Sequence, residues 1–406
     1  MSGPQETVAG PADILRLLWG EAAVVSATRS PFPRSGRHEF LLLPRPSRAT
    51  FLVPARPRLV TEAALRDYGT ANTRRARLLS GLGAPLGRLG LLGRALPRVT
   101  VADGPGEGGL MAHAEALLGQ EVVPAIQLGP IRPNRKPVVQ LRAHDGRPVA
   151  YMKVGITRLT RDRVAHEASA LTQLQAHRES LTFDVPRLLH AGEVGAVNFA
   201  ITSVVDTGGG VVLSAEGVDA AMANLATAFE VASHEIRSAP WWSTLLDELA
   251  DLEGAEAEAL RAAAEVFRSR EGDRPLTEGA AHGDWAPWNM ATPRGSAVVW
   301  DWERFRRGVP VGWDALHFEI ERNRRAGHGA LQSITHVIPD CGDVVRRNGA
   351  AAEDGRVILA SYLLDLGVRQ LRTRSEAAKD SRGSLTTWLL PALHQVLAAN
   401  DPATPL

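Results

Sequence analysis

The sequence contains one cysteine, Cys341, so no internal disulfide can form and no cysteine-based zinc site can be assembled. A reducing compartment is therefore the default. There is no run of about 18 apolar residues, the length a membrane-spanning helix needs. The N-terminal stretch MSGPQETVAGPADILRLLWG has neither the basic n-region nor the apolar h-region of a signal peptide. A cytoplasmic protein with no membrane partner is the expectation. An excess of one charge is missing too: 46 Lys plus Arg against 45 Asp plus Glu give a net charge of +1, with no electrostatic argument for nucleic acid. Lysine is scarce, with only Lys136, Lys153 and Lys379, so a lysine inside an apolar strand stands out. No GxxxxGK[ST] occurs, which disfavours a P-loop enzyme.

What is present is an ordinary globular composition, 44% hydrophobic and 22% charged, in a chain of 406 residues. That length exceeds one hydrophobic core and implies two or three domains. Residues 1–120 are expected to form an N-terminal appendage of unknown role. In it EFLLLP (39–44) and ATFLVPA (49–55) suggest a hairpin, a helix follows from about 61 to 81, and VTVADG (99–104) suggests another strand. Residues 121–207 carry three strand candidates, AIQL, VVQLRA and VAYMKVG, with a turn at His144–Gly146 between the last two. A helix at about 160–177 has Val164, Ala168, Leu171 and Leu174 as its apolar stripe. Two more strands are expected before Gly208, Gly209 and Gly210, which suggest a joint. Residues 208–406 are mostly helical, with periodic stretches near 217–237, 243–252, 254–269, 313–326, 355–373 and 385–399.

The chemistry is concentrated in AAHGDWAPWNMATPRGSAVVWDWERF. Asp284 and Asn289 lie five positions apart on a loop fixed by Pro287. The carboxylate can accept the proton of an attacking hydroxyl while the amide oxygen ligates a magnesium on phosphates. Asp301 leaves the end of the apolar strand AVVW, where a second metal ligand would fit. Magnesium prefers one or two carboxylates plus phosphate oxygens, and this sparse oxygen set suits it. Elsewhere, Lys153 in VAYMKVG needs a counter-charge, because burying an ammonium unpaired is costly. Glu167, on the apolar stripe of the following helix, is its natural partner. Turn formation alone could account for an Asp or Asn in a loop, and snorkelling for a strand lysine. The ordered spacing of the motifs speaks against accident.

HGDWAPWN resembles the HxDxxxxN catalytic loop of aminoglycoside phosphotransferases, choline kinases and, more remotely, protein kinases. VVWDWE resembles the aspartate motif that follows it, and GVPVGWDALHF is similar to the downstream segment of the phosphotransferase branch. The resemblance implies a bilobal, protein-kinase-like α+β fold, with a small β-rich N-lobe at 121–207 and a larger helical C-lobe at 208–406. It implies an ATP- and Mg2+-dependent transfer of the γ-phosphate to a hydroxyl, with the nucleotide in the cleft between the lobes. By it Asp284 is the base, Asn289 and Asp301 hold metal, Lys153 held by Glu167 grips the phosphates, and Asp314 supports the loop. His282 is expected to be structural.

Departures from the pattern bear on the nucleotide and the acceptor. The expected phosphate-covering segment, LGPIRPNRKPV (128–138), is not a GxGxxG loop, although Arg135 or Lys136 could supply charge there. The purine is expected near Ser203–Asp206, with no side chain assigned. Five tryptophans (Trp285, Trp288, Trp300, Trp302 and Trp313) fall within or beside the motifs. Most are expected in the core, with Trp285 a candidate wall of a substrate pocket. From Trp313 onward, eleven acidic residues face eleven basic ones, which gives no support to a polycationic acceptor. A small-molecule hydroxyl compound is the leading partner. A Ser or Thr of a peptide is the alternative, with residues 1–120 as a docking module, and an inactive nucleotide-binding scaffold comes last.

Overall fold

The structure is a computed structural model that describes residues 10–28, 38–44, 49–68, 84–89, 92, 96–102, 109–129, 136–206, 214–293, 296–375 and 383–398. The chain divides into two compact units. One comprises Met1–Ala168 and Pro186–Val204, the other Ser169–Val185 and Val205–Leu406. The fold is of mixed α+β type, with strands dominating the first unit and helices the second.

Among the described residues, the first unit is built on nine strands: β1 (Val24–Thr28), β2 (His38–Leu43), β3 (Phe51–Pro54), β4 (Arg98–Ala102), β5 (Val123–Gln127), β6 (Val138–Arg142), β7 (Pro148–Gly155), β8 (Leu188–Val194) and β9 (Val197–Ser203). They form one antiparallel sheet in the order β1-β4-β2-β3-β5-β6-β7-β9-β8. The unbroken apolar runs EFLLL and FLVP follow from burial on both faces. Phe40, Leu42 and Leu52 pack with Leu15, Leu18 and Met111 from the helices Pro11–Trp19 and Leu110–Leu118. The alternate residues Leu41, Leu43 and Val53 pack with Ala64 and Leu65 of the helix Arg58–Tyr68.

The expected hairpins are present. Phe40 stands opposite Pro54 in the first, and Val139 opposite Met152 in the pair closed by the His144–Gly146 turn. The expected boundary at residue 120 is not a break in the sheet, because β3 pairs with β5 and joins strands from either side of it. The backbone groups of an unfinished strand edge accept any neighbouring strand, and that pairing leaves no mark in side-chain composition. The glycines at 208–210 and residues 130–135 of the phosphate-covering segment, Arg135 included, lie outside the described residues.

Among its described residues, the second unit holds five short strands: β10 (Ala232–Glu235), β11 (Pro275–Ala281), β12 (Met290–Ala291), β13 (Val298–Val299) and β14 (Arg306–Pro310). β11 lies between β10 and β14 in one antiparallel sheet, and β12 pairs with β13 in another. The main helices span Ala215–Thr227, Pro240–Ala250, Ala255–Glu271, Trp313–Arg325, Gly355–Ser375 and Leu389–Ala398. Their core includes Trp242, Phe267, Trp313, Tyr362 and Leu393, all buried. The helix expected over 217–237 stops at Thr227, and β10 occupies 232–235 instead. No helix among the described residues is long and apolar enough to cross a membrane.

Candidate active site

In the first unit, Lys153 lies on β7 and Glu167 on the helix Arg158–Ala176. Ala200 stands directly across the sheet from Lys153 and packs with Val164 and Ala168 of that helix. Directly paired residues project to the same face, so Lys153 faces the helix too. Its Nζ donates to Glu167 Oε1 over 2.6 Å, and Glu167 is only 3% exposed. Each charge thus compensates the other's loss of hydration. At the end of β9, the Ser203 backbone is paired with Arg187, and its hydroxyl accepts from Arg187 N over 2.9 Å.

In the second unit, β11 delivers the chain to His282 and β14 delivers it to Gly312, at the start of the helix Trp313–Arg325. The pairing of β11 with β14 therefore brings Asp314 to the His282–Asp284 segment. The two Asp314 carboxylate oxygens accept from His282 N over 2.6 Å and from Gly283 N over 2.9 Å. This is the supporting role expected for Asp314, obtained by satisfying two backbone donors where the strand ladder ends. Gly283 has φ 78°, and a Cβ there would lie 2.4 Å from Arg304 O, so glycine is required on both counts.

The His282 ring is fully buried. Its Nδ1 accepts from Asp284 N over 3.2 Å, which places the ring proton on Nε2, 3.0 Å from Trp300 O. One imidazole thereby ties the loop to the residue preceding Asp301. With both nitrogens committed to backbone, it is structural, as expected.

Asn289 donates through Nδ2 to Asp284 O over 2.9 Å and, more loosely, to Asp284 Oδ2 over 3.4 Å. Its amide oxygen is thereby left for another partner. β12 and β13 then return the chain, and Trp300 N donates to Asn289 O over 3.0 Å. Asp301 has φ 71°, the one non-glycine residue with positive φ among the described residues. A left-handed aspartate costs about 1–3 kcal/mol, and such conformations concentrate at functional sites. Its charge acts on both Asp284 and Arg304.

The structure therefore brings Asp284, Asn289, Asp301 and Asp314 together in one unit, and Lys153 with Glu167 in the other. Trp285 is not a pocket wall. It is fully buried against Phe183, His282 and Trp302, and its Nε1 donates to Met290 Sδ. Trp288 is 37% exposed.

Three residues beside Asp284 were not singled out from sequence: His317, Arg304 and Arg369. His317 Nε2 lies 3.2 Å from Asp284 Oδ1, close enough for a charge contact though not aligned as a hydrogen bond. His317 Nδ1 is 2.6 Å from the hydroxyl of Tyr362. Burial keeps that hydroxyl protonated by pushing its pKa up, so it donates to Nδ1 and leaves the ring proton on the side of Asp284. Arg369 donates to Gly283 O over 2.8 Å. Partial burial pushes the Asp284 carboxyl up, but contact with His317 and the attraction of His317 and Arg304 outweigh it, lowering the pKa to about 2. Asp284 is thus ionised at neutral pH. The signal for His317 lay in GWDALHF, where a histidine three residues after Asp314 shares the face that Asp314 turns to the loop.

Comparison with protein families and with curated proteins finds no match. Among solved structures, a thermostable mutant of aminoglycoside phosphotransferase APH(4)-Ia has a TM-score of 0.46 and 13% identity, over 72% of this chain and 100% of that one. A protein assigned as a fructosamine-3-kinase from Haemophilus somnus gives 0.41 and 12%, over 71% and 96%. Aminoglycoside phosphotransferase APH(3'')-Id from Streptomyces rimosus, in complex with ADP and streptomycin, gives 0.38 and 17%, over 57% and 90%. Two of the three are aminoglycoside phosphotransferases, an enzyme type that the sequence motifs resemble. At such scores the functional reading rests on this chain's own residues.

Proposed function

We propose that the protein is a phosphotransferase that moves the γ-phosphate of ATP, in a magnesium-dependent reaction, to a hydroxyl group of a small molecule. The observation that carries the reading is the convergence of an ionised carboxylate, an amide and a second, backbone-strained carboxylate on one loop-and-hairpin segment. Asn289 bridges to Asp284 through its nitrogen, and Asp301 lies within charge range of Asp284.

This donor set fits magnesium. The amide nitrogen of Asn289 is engaged, which presents Oδ1, and Asp301 adds one carboxylate. A cation that takes few protein ligands and completes its shell with phosphate oxygens and water is matched to that set. When bound, magnesium would neutralise charge on the phosphates.

In this reading Asp284 orients the acceptor hydroxyl and takes its proton as the oxygen–phosphorus bond forms and the bond to the ADP oxygen breaks. His317 and Asn289 fix the direction of the carboxylate. Asp314 and Arg369 hold the backbone on either side of Gly283, so the base is preorganised rather than recruited. Lys153, oriented by Glu167, carries charge to the nucleotide phosphates.

A thermal-shift titration with ATP and magnesium on wild type and Asp301→Ala tests the reading. A native-state ligand at a hundredfold excess over its Kd stabilises by about 2.7 kcal/mol. The expected result is a magnesium-dependent shift in wild type that the variant loses. No shift with ATP or GTP in wild type would overturn it.

A further inference from the structure

The arginines around the loop are unequally matched. Arg306 donates to Asp365 Oδ1 over 2.5 Å and lies over the Trp313 ring. Arg369 sits 2.7 Å from Asp365 Oδ2 and donates to Gly283 O. Arg304 has no ion pair within 4 Å and no hydrogen bond from its guanidinium among the described residues. What acts on it is longer-range: attraction from Asp284, Asp365 and Asp301, and repulsion from Arg369.

Arg304 is half-buried, and none of its nitrogens is sealed from solvent without a partner. Its backbone carbonyl and Cβ abut Gly283, the residue before Asp284. Burial and the neighbouring Arg369 disfavour its charge, while Asp284, Asp365 and Asp301 favour it only from beyond ion-pair distance, so no described side chain pairs directly with this cation. A guanidinium in that condition is completed by an oxyanion from solution, which its planar fork binds through two parallel hydrogen bonds.

Two oxyanions could come there, the terminal phosphate of the nucleotide or a group on the acceptor. In the proposed reaction the phosphates already have Lys153 and magnesium. Arg304 instead lies against Gly283, next in the chain to the proposed base, where the acceptor must present its hydroxyl. An amine-bearing acceptor would meet an unpaired cation there.

We infer that Arg304 binds an oxyanion of the acceptor, a carboxylate or phosphate group carried near the hydroxyl that Asp284 receives. The inference rests on the phosphotransferase reading and narrows its substrate class to acidic hydroxy compounds.

The test is calorimetric titration of sulfate into the full chain saturated with magnesium and AMP-PNP, at constant ionic strength. Wild type is compared with Arg304→Gln, which keeps the aliphatic stem, and Arg304→Lys, which keeps the charge. The expected result is one sulfate per chain, weakened tenfold or more in Arg304→Gln and less in Arg304→Lys. On wild type alone, glycerate displaces the sulfate and choline does not, which serves as the decisive arm if Arg304→Gln does not fold. Absence of sulfate binding, equal affinity in a folded Arg304→Gln, or displacement by choline would overturn the inference. So would sulfate that binds only when AMP-PNP is replaced by ADP, since Arg304 would then serve the terminal phosphate. Failure of the nucleotide reading shows separately, as no binding of AMP-PNP in the same cell.

Discussion

The Nε2 of His317 stands 3.2 Å from Oδ1 of Asp284, while its other nitrogen is held by the hydroxyl of the buried Tyr362. The tyrosine fixes the ring, and the ring lies in contact with one carboxylate oxygen. His317→Ala should therefore lower kcat by about tenfold or more, by misorienting the base, with nucleotide affinity retained. Because His317 is among the groups that hold Asp284 low, its loss raises the Asp284 pKa. The acid limb of the rate profile then moves to higher pH. An acid limb that stays in place would show that His317 is packing alone.

Asp284→Asn keeps the shape of the loop and removes the proposed proton acceptor. Turnover should fall by about two to four orders of magnitude, the usual contribution of a positioned base, while the thermal shift with ATP and magnesium persists. Substantial residual transfer would take the role of base away from Asp284.

Asp314 accepts from two consecutive backbone N–H groups. In Asp314→Asn only the amide oxygen can accept, and the amide nitrogen turns a donor toward the other N–H. Leaving one buried donor unpaired costs about 1–3 kcal/mol. The variant should show that loss in chemical denaturation, together with a lower kcat, because His282 and Gly283 lead directly into Asp284.

These residues differ in how legible they were. Lys153 and Glu167 could be paired from sequence because each alone would be an uncompensated charge on an apolar face, and the strand and helix periodicities place them together. The grouping of Asp284, Asn289 and Asp301 was legible because they lie within a short, ordered segment. His317, Arg304 and Arg369 were not. Their meaning comes from the pairing of β11 with β14 and from the helix Gly355–Ser375 reaching back to Gly283. A histidine or arginine on a helical face carries no sign of which distant loop it will meet. The continuation of the sheet from β3 to β5 was hidden for a related reason, since main-chain pairing is indifferent to side-chain type.

Asp365 is 3% exposed and lies between Arg306 and Arg369. Burial pushes its carboxyl up, but the two arginines more than offset this and lower its pKa below the usual carboxylate value. A carboxylate depressed in the folded state contributes stability above its unfolded pKa, about 3.9, and loses it as pH falls toward the folded value. Asp365→Asn should thus be destabilised by about 3–5 kcal/mol at pH 7, the cost of breaking a buried pair. The gap from wild type should narrow below about pH 4. Urea denaturation of both proteins from pH 3 to 8 checks this, and a gap independent of pH would show that packing rather than charge is lost.

The Lys153–Glu167 pair sets structure against function. If Glu167 served only to neutralise a buried lysine, Lys153→Met with Glu167→Gln should restore what Glu167→Gln alone removes, in stability and in activity alike. If the pair holds Lys153 for the nucleotide phosphates, the double variant recovers stability but not turnover, because the cation itself is gone. The expected outcome is the second. Glu167→Gln loses stability and weakens ATP, Lys153→Met weakens ATP at least as strongly, and the double variant regains melting temperature while remaining inactive. Reading both quantities on one set of four proteins separates the two roles, since coupling between residues in contact appears as non-additivity of about 0.5–3 kcal/mol. Recovered phosphoryl transfer in the double variant would remove Lys153 from the reaction.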